Sequence, residues 1–316
     1  MKVALIGTGA MGCIFGAALA RSGAELVCLD QRSDVVAALQ QHGIRVRGVL
    51  GEQTIAVRAT SDPAQLGPAD MALVLVDAAA TPAAAEIAAA CLREGGFALS
   101  LQNGIGNLEA LVEALGPQRV LAGVTYNSGT GEGPARSWHT HLGLTTMGEA
   151  TGAITPRLQT LAERFRAQGM AVEVTGQVEA AIWSKFVHNC AINPISALTG
   201  LRPAQIMQTP PAQSLMEHVI DEILQVVDAI GIVLPGHDAR SEILNHCRER
   251  MNQPSMLQHL LAGKPTEIGA LNEALLARAR VLGLPVPFNT AVVLAIRALE
   301  ASAAFTKAPG AGNSNF

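Results

Sequence analysis

The chain opens on a short apolar run that leads directly into a glycine turn, and this junction constrains the fold more than any other feature. Val3-Ala4-Leu5-Ile6 has the character of a buried strand, and Gly7-Thr8-Gly9-Ala10-Met11-Gly12 follows it and matches G-x-G-x-x-G. Glycines at this spacing permit a tight turn, a close backbone approach to a pyrophosphate and close packing of the following helix. We therefore predict a Rossmann-type dinucleotide site formed by Gly7, Thr8, Gly9, Ala10, Met11 and Gly12.

Composition and charge narrow the class of protein. The 316 residues are 49% hydrophobic and 15% charged with a net charge of −4, which leaves no basic surface for nucleic acid. The five cysteines form no C-x-x-C pair and indicate reduced thiols in the cytoplasm. The uncharged stretch Val3–Ala20 imitates a membrane span or signal peptide, but its four glycines argue against both. We expect a cytoplasmic protein with neither membrane nor nucleic-acid partners.

The pattern up to about residue 176 alternates apolar runs with helical stretches, which is typical of a parallel sheet covered by helices. The predicted strands are Val3–Ile6, Leu26–Leu29, Met71–Val76, Phe97–Leu101 and Val120–Val124, with further strands over 125–176. The predicted helices are Met11–Ser22, Ser33–His42, Pro82–Cys91 and Pro156–Gln168, the last with Thr155 as its N-cap.

After about Gly176 the periodicity becomes helical throughout. The expected helices are Gln177–Asn193, Pro211–Ile230, His237–Asn252, Ser255–Ala262, Thr266–Leu282 and Pro287–Ala304. We predict an α/β chain with a dinucleotide-binding domain at 1–176, and an all-helical substrate and catalytic domain at 177–316 whose last residues, 307–316, form a mobile tail.

The residues after the second strand bear on which cofactor is bound. Asp30 stands where an acid accepts hydrogen bonds from the adenosine ribose, which favours NAD. Arg32 lies two residues further on and could pair with the 2′-phosphate of NADP. The local chemistry leaves both cofactors open.

Three polar side chains share one face of the first predicted helix of the second domain. Lys185, Asn189 and Asn193 fall at i, i+4 and i+8 in an otherwise apolar stretch. Burying them without partners would be unfavourable, so a ligand is the simplest explanation. Since Pro194 follows Asn193, we expect the helix to end there.

With these residues the chain resembles the ketopantoate reductases, which reduce 2-dehydropantoate with NADPH in pantothenate biosynthesis. The resemblance covers nearly the whole chain. It rests on the glycine motif and on three further stretches: Ser100-Leu101-Gln102-Asn103-Gly104-Ile105-Gly106-Asn107, Trp183-Ser184-Lys185 with Asn189, Asn193 and Pro194, and Pro254-Ser255-Met256-Leu257-Gln258 followed by Pro265-Thr266-Glu267-Ile268.

The resemblance implies a role for each of these side chains. Lys185 would supply the proton to the ketone oxygen of a 2-oxo acid, and Asn103 would position nicotinamide and substrate. Glu267 would hold the substrate hydroxyl and the hydrogen-bond network of Lys185, and Asn189, Asn193 and Ser255 would bind the carboxylate or hydroxyl groups of the substrate. NADP is the cofactor expected by resemblance. Asp30 and Asp77 stand where the family places cations, and these two acids make NAD the alternative.

Other interpretations stay open at this point. The same scaffold could serve an NAD-dependent D-2-hydroxyacid dehydrogenase, a 3-hydroxyacid dehydrogenase of the 6-phosphogluconate type, or a non-catalytic dinucleotide sensor. His188 is a weaker candidate for the general acid, while Cys190 is expected in the core. His139 and His141 are interpreted as ordinary strand residues, so no metal is expected. The long helices would suit a homodimer.

Overall fold

The computed structural model describes residues 1–236 and 238–307, with side chains up to residue 302. Contacts divide the chain into two compact units, the first Met1–Ile182 and the second beginning at Trp183. The division falls inside one long helix, six residues beyond the domain boundary predicted at 176/177. The α/β class with an all-helical second domain is confirmed.

The first unit contains twelve strands within the described residues. They are β1 (Lys2–Ile6), β2 (Glu25–Leu29), β3 (Ile44–Gly48), β4 (Gln53–Ile55), β5 (Arg58–Thr60), β6 (Ala69–Val74), β7 (Leu92–Ser100), β8 (Val120–Thr125), β9 (Ser128–Gly133), β10 (Arg136–His141), β11 (Thr145–Glu149) and β12 (Val172–Val174). All five individually predicted strands are present, as β1, β2, β6, β7 and β8.

The main sheet has eight strands in the order β12-β11-β8-β7-β6-β1-β2-β5. It is parallel from β8 to β5, whereas β11 runs antiparallel to β8. Successive side chains of β1 point to opposite faces: Val3 and Leu5 enter one apolar core, and Ala4 and Ile6 enter the other. Burial on both faces explains why this strand is a continuous apolar run.

A second sheet of four strands, in the order β4-β3-β10-β9, was not expected as a separate layer. Strands β3, β4 and β5 were missed in the sequence altogether. Two of them are only three residues long, and the third carries Arg45 and Arg47 between its apolar residues. The two short strands have too little periodicity to be separated from loops, whereas the alternation of apolar and charged residues in β3 is a strand signal that the prediction overlooked.

Five helices belong to the first unit or its connections: α1 (Ala10–Arg21), α2 (Ser33–His42), α3 (Thr81–Cys91), α4 (Asn107–Leu115) and α5 (Pro156–Arg166). Four were predicted to within two residues at each end, and α4 was missed. The Thr155 cap is confirmed, because its hydroxyl accepts a hydrogen bond from the Leu158 backbone N–H at 3.3 Å.

The helices from residue 178 onward are α6 (Val178–Thr199), α7 (Pro203–Met207), α8 (Pro210–Ile230), α9 (Ala239–Arg248), α10 (Ser255–Leu261), α11 (Ala274–Leu282) and α12 (Pro287–Lys307). The expected end of the first of these helices at Asn193 is wrong, since α6 continues through Pro194 to Thr199. The helix expected over 266–282 is also wrong in its first turns: a π-helix occupies Gly269–Glu273, and α11 starts only at Ala274.

Two further expectations concern residues that lie partly outside the described part of the chain. Of the predicted tail at 307–316, only the backbone of Lys307 is described, as the last residue of α12, and 308–316 lie outside the described part. The helix expected from His237 begins at Ala239, and His237 itself lies outside. Across the described ranges, no helix combines the length and apolar character needed to cross a membrane.

Candidate active site

The glycine turn connects β1 to α1 at the carboxyl edge of the main sheet. Gly7 has a φ of +95°, and a Cβ there would lie 2.6 Å from the Leu75 carbonyl oxygen. A Cβ on Gly12 would lie 2.2 Å from the Gly7 carbonyl oxygen, so neither position admits a side chain. Around Gly9, by contrast, a Cβ would meet no described atom within 4 Å. The backbone at Gly9 is therefore open to a ligand.

The N-terminus of α1 is suited to an anion. Gly9 is its N-cap, no side chain caps it, and no acid lies in its first turn. Unpaired backbone N–H groups and the helix dipole favour a phosphate at such a terminus. The predicted residues Thr8, Ala10 and Met11 lie in this turn, and the donor set fits the pyrophosphate of a dinucleotide.

Asp30 follows β2 on the same edge, and its carboxylate is already occupied by neighbouring donors. It accepts hydrogen bonds from the Thr8 hydroxyl at 2.5 Å and, through a bidentate contact, from the Arg32 guanidinium at 3.0 and 3.1 Å. Burial opposes the charge of Asp30, yet the donors outweigh it and hold the pKa of this carboxyl below its ordinary value. The sequence did not indicate that Thr8 would serve Asp30.

Arg32 is surrounded by acids. Its hydrogen bond to Asp30 raises the pKa of the guanidinium, and the charges of Asp34 and Asp77 act in the same direction. One cation thus faces three carboxylates within this corner of the first unit. A dianionic 2′-phosphate would add a further negative charge to that group.

Asn103 lies in the bend between β7 and α4, and a buried hydrogen-bond network shapes this bend. The Gln102 amide donates to the Val76 carbonyl at 2.7 Å and to the Thr81 hydroxyl at 2.8 Å. The Asn107 amide donates to the Asn103 carbonyl at 3.0 Å. Gln102, Thr81 and Asn107 were not predicted as supporting residues, although two of them stand in the Gln102–Asn107 stretch that carries the resemblance.

Because the strands are in register, four loops emerge side by side at this edge. Ile6 pairs with Leu29 and Val74, and Val74 pairs with Ser100. The residues that follow these positions begin the loops that carry the glycine turn, Asp30, Asp77 and Asn103. Open α/β sheets bind ligands at the carboxyl ends of their strands where the strand order reverses, which here is at β1.

In the second unit, Lys185, Asn189 and Asn193 all lie on α6, as the spacing predicted. Lys185 and Asn189 are partly buried, and Asn193 is 7% exposed. Burial lowers the pKa of the Lys185 ammonium to about 8, while the charge of Glu267 opposes this fall. The structure therefore couples Lys185 to Glu267, which stand 82 residues apart in the chain.

The segment that carries Ser255 and Glu267 differs in secondary structure from the prediction. Glu267 lies in a bend just before the π-helix rather than in the first turn of a helix. Ser255 is exposed and is the first residue of α10, whose N-cap is Pro254. The grouping of Ser255 and Asn193 with Lys185 around one substrate stays a prediction.

The weaker candidates have ordinary environments. His188 is oriented by a hydrogen bond of its Nδ1 with the Ser184 carbonyl at 2.9 Å, and Cys190 is fully buried, which raises the pKa of its thiol. His139 is buried against the Asn127 amide at 2.8 Å, whereas His141 is exposed beyond a register shift in β10. Among the described residues, no group of three or more His, Cys, Asp or Glu side chains could hold a metal ion.

Comparison with known proteins shows what the chain is similar to. The family model described as ketopantoate reductase PanE/ApbA matches residues 3–152, and that of its C-terminal part matches 177–300. A 2-dehydropantoate 2-reductase of Archaeoglobus fulgidus is 31% identical, with 95% of this chain and 98% of that protein covered. A crystal structure of a PanE/ApbA family ketopantoate reductase from Ralstonia eutropha is 32% identical, with a TM-score of 0.85 and 96% and 100% covered.

The chain therefore belongs to the ketopantoate reductase family, a class of nicotinamide-dinucleotide oxidoreductases. A D-mandelate dehydrogenase, in a ternary structure with NADH and anilino(oxo)acetate, also superposes with a TM-score of 0.84 over 96% of this chain and 100% of that one. Its identity is 21%, so this likeness shows the shared fold alone.

Proposed function

We propose that the protein is a 2-dehydropantoate 2-reductase that uses NADH as its preferred reductant. The observation that carries the reaction type is the Lys185 ammonium, whose pKa is lowered to about 8 by burial and supported by the charge of Glu267. Such a group is mostly protonated at pH 7 but releases its proton more readily than an ordinary lysine. Reduction of a ketone requires this kind of proton donor.

The roles of the residues follow from what a 2-oxo acid needs. A dinucleotide whose pyrophosphate is held at the Gly7–Gly12 turn would supply a hydride from its reduced nicotinamide to the carbonyl carbon. Lys185 donates a proton from Nζ to the carbonyl oxygen, so that the ketone becomes a hydroxyl and Lys185 is left neutral. The nearby carboxylate of Glu267 stabilises the ammonium before transfer.

The remaining polar residues are assigned by the family resemblance. Asn103 positions nicotinamide and substrate, and Glu267 accepts a hydrogen bond from the substrate hydroxyl. Asn189, Asn193 and Ser255 bind the carboxylate or hydroxyl groups. Amide and hydroxyl donors at these places would distinguish a hydroxylated 2-oxo acid from a purely apolar one, because an unpaired buried polar group is unfavourable.

The charged side chains around Arg32 bear on whether NADH or NADPH is bound. The Arg32 guanidinium is held by Asp30 and lies near Asp34 and Asp77, so a 2′-phosphate bound to it would face three carboxylates. Replacing its contact with Asp30 would leave that buried carboxylate beside the phosphate. The ribose hydroxyls of NADH, in contrast, bring no further negative charge to this corner. These contacts favour NADH over the NADPH expected by resemblance.

The deciding experiment crosses cofactor with substrate. NADH and NADPH are each offered with 2-dehydropantoate, 2-oxoisovalerate and pyruvate, and oxidation is followed at the nicotinamide absorbance. The highest kcat/KM is expected for NADH with 2-dehydropantoate. A higher kcat/KM with NADPH would overturn the cofactor proposal alone. A higher kcat/KM with an unbranched or unhydroxylated acid would overturn the substrate proposal.

The second candidate is an NADH-linked D-2-hydroxyacid dehydrogenase, which the same three carboxylates around Arg32 favour. It predicts that 2-oxoisovalerate or another simple 2-oxo acid outcompetes 2-dehydropantoate in this cross. A non-catalytic dinucleotide sensor predicts no oxidation of either cofactor with any of these acids.

Location and assembly stay predictions. The five cysteines are free and buried in the structure, which supports a cytoplasmic location where thiols remain reduced. A homodimer is an expectation that sedimentation of the purified chain would test.

A further inference from the structure

The proline inside α6 leaves one carbonyl of that helix without its normal donor. In an α-helix the C=O of residue i accepts from the N–H of residue i+4, so Cys190 would be served by residue 194. Residue 194 is proline, which has no N–H. Cys190 is fully buried and Pro194 is buried as well, so water does not replace the missing donor easily.

The missing donor comes from a residue 82 positions further along the chain. Asn272 lies in the π-helix Gly269–Glu273, is fully buried, and donates from Nδ2 to the Cys190 carbonyl oxygen at 3.0 Å. The same Nδ2 donates to Asn289 Oδ1 at 3.0 Å. Because both partners are acceptors, the amide of Asn272 can adopt only this orientation.

Asn289 is in turn held rigidly at the start of α12. Its Nδ2 donates to Glu222 Oε2 at 2.8 Å and to the Val219 carbonyl at 3.2 Å. The same carboxylate accepts the backbone N–H groups of Phe288 and Asn289, both at 2.8 Å. The hydrogen bonds therefore run in one direction, from Asn272 to a carboxylate on α8, and connect three helices with the π-helix.

The segment between Asn272 and Glu267 is short and internally bonded. The Leu271 N–H donates to the Glu267 carbonyl at 3.1 Å, and the Glu273 N–H donates to the Ile268 carbonyl at 3.0 Å. Cys190 follows Asn189 directly and lies five residues after Lys185 on α6. A bond from Asn272 to Cys190 thus ties the backbone beside Glu267 to the helix that carries Lys185.

We propose that Asn272 is a positioning residue for the reaction: it occupies the carbonyl freed by Pro194 and so sets the placement of Glu267 relative to Lys185. This inference rests on the proposed function for its catalytic meaning, because Lys185 must be the proton donor for its placement to affect turnover. Asn272 itself acts through Glu267 and Lys185.

The direct test measures the pKa of Lys185 in Asn272→Ala. The chain has four lysines, so ¹³Cε labelling of lysine resolves each signal by NMR. The wild-type pKa is expected at about 8. In Asn272→Ala the pKa should fall below that value, since a more distant Glu267 charge no longer favours the ammonium. An unchanged pKa in a folded Asn272→Ala would overturn the proposal.

Leu275→Ala is the matched control for loss of packing. Leu275 is fully buried in α11, and its truncation leaves a cavity without removing a hydrogen bond to α6. It should lower the melting temperature and leave the Lys185 pKa at its wild-type value. If Leu275→Ala lowers this pKa as much as Asn272→Ala does, general loosening explains both, and the positioning role is lost.

A second variant separates the two functions of the Asn272 amide. Asn272→Ala/Pro194→Ala gives Cys190 a helical donor again, so part of the stability should return while the Lys185 pKa stays low. Recovery of the pKa as well would mean that Asn272 only satisfies α6, which contradicts the proposal. If Asn272→Ala does not fold, the double variant provides the pKa comparison.

Turnover gives the functional readout. For Asn272→Ala we expect kcat to fall roughly tenfold to a hundredfold, with its alkaline limb moved to lower pH and the KM for NADH unchanged. The NMR titration requires no turnover. A wild-type protein that reduces no 2-oxo acid would therefore refute the proposed function and leave the tie between Asn272 and the Lys185 pKa to be judged on its own.

Discussion

The glycine turn of the first unit and the Lys185 region of the second are held in place by different means. In the turn, backbone conformation and lack of space decide the geometry: Gly7 has a positive φ and Gly12 lies against the Gly7 carbonyl. The helix that carries Lys185 is instead connected to distant parts of the chain by buried side chains: Asn272 donates to the Cys190 carbonyl and to Asn289, which donates to Glu222. A short motif thus suffices to specify the turn, whereas the surroundings of α6 form only when distant segments pack together.

The largest expected effect tests whether chemistry and cofactor binding are separate. Lys185→Ala should lower kcat roughly a hundredfold to ten-thousandfold, because the proton donor is lost, while the Kd for NADH stays within about twofold. Stopped-flow turnover and a fluorescence titration measure the two quantities. Wild-type turnover in this variant would remove Lys185 from the mechanism.

Two glycines of the turn test whether backbone conformation and lack of space set its geometry. Gly12→Ala should lower the free energy of unfolding by about 1–3 kcal/mol, because its Cβ would overlap the Gly7 carbonyl. Gly9→Ala should leave stability unchanged, since its Cβ meets no described atom within 4 Å, but weaken NADH about tenfold or more. Urea denaturation and calorimetric titration distinguish the pair. Equal NADH affinity in Gly9→Ala would mean that the cofactor does not approach this backbone.

Glu222 tests whether buried side-chain hydrogen bonds stabilise the second unit. Glu222→Gln should lower the free energy of unfolding by about 1–3 kcal/mol, because one carboxamide cannot accept the three N–H bonds that the carboxylate accepts. Asp228→Asn, the same change at an exposed position of α8, is the control and should be neutral. A neutral Glu222→Gln would show that the core of the second unit tolerates the loss of this network.

Asp30 offers the smallest expected effect and sharpens the comparison, since here a side chain modifies a loop that glycines define. Asp30→Ala should raise the NADPH to NADH ratio of kcat/KM about tenfold, because Arg32 is freed and one carboxylate is removed from the corner. Glu25→Ala, an exposed acid at the start of β2, should leave the ratio unchanged. A ratio unaffected by Asp30→Ala would exclude this corner as the determinant.

The parts of the fold that were predicted correctly have strong local signals. Strand β1, the glycine turn and α1 follow from a continuous apolar run and three glycines, and the Thr155 cap follows from Thr before Pro156. Helix α4 was missed although Leu108, Leu111 and Leu115 recur at helical spacing. Most of the other missed elements are short and have weak signals. Strands β4 and β5 are three residues long, and α7 and the π-helix are five.

The end of α6 was wrong for a different reason. Proline usually marks the end of a helix because it removes a donor, and the prediction followed that rule. In the folded chain the helix continues, and Asn272 supplies a donor to the Cys190 carbonyl from 82 residues away. No local pattern around Pro194 contains that information.

The sequence by itself determined the dinucleotide-type fold, the placement of Lys185, Asn189 and Asn193 on one helix, and the family to which the chain is similar. These depend on residues within a few positions of one another, where backbone sterics and helical spacing act directly. Only the tertiary structure decided that Asp30 is held by Thr8 and Arg32, and that Asn272 donates to the Cys190 carbonyl. Burial and long-range hydrogen bonds arise when distant segments pack together, so they exist only in the folded chain.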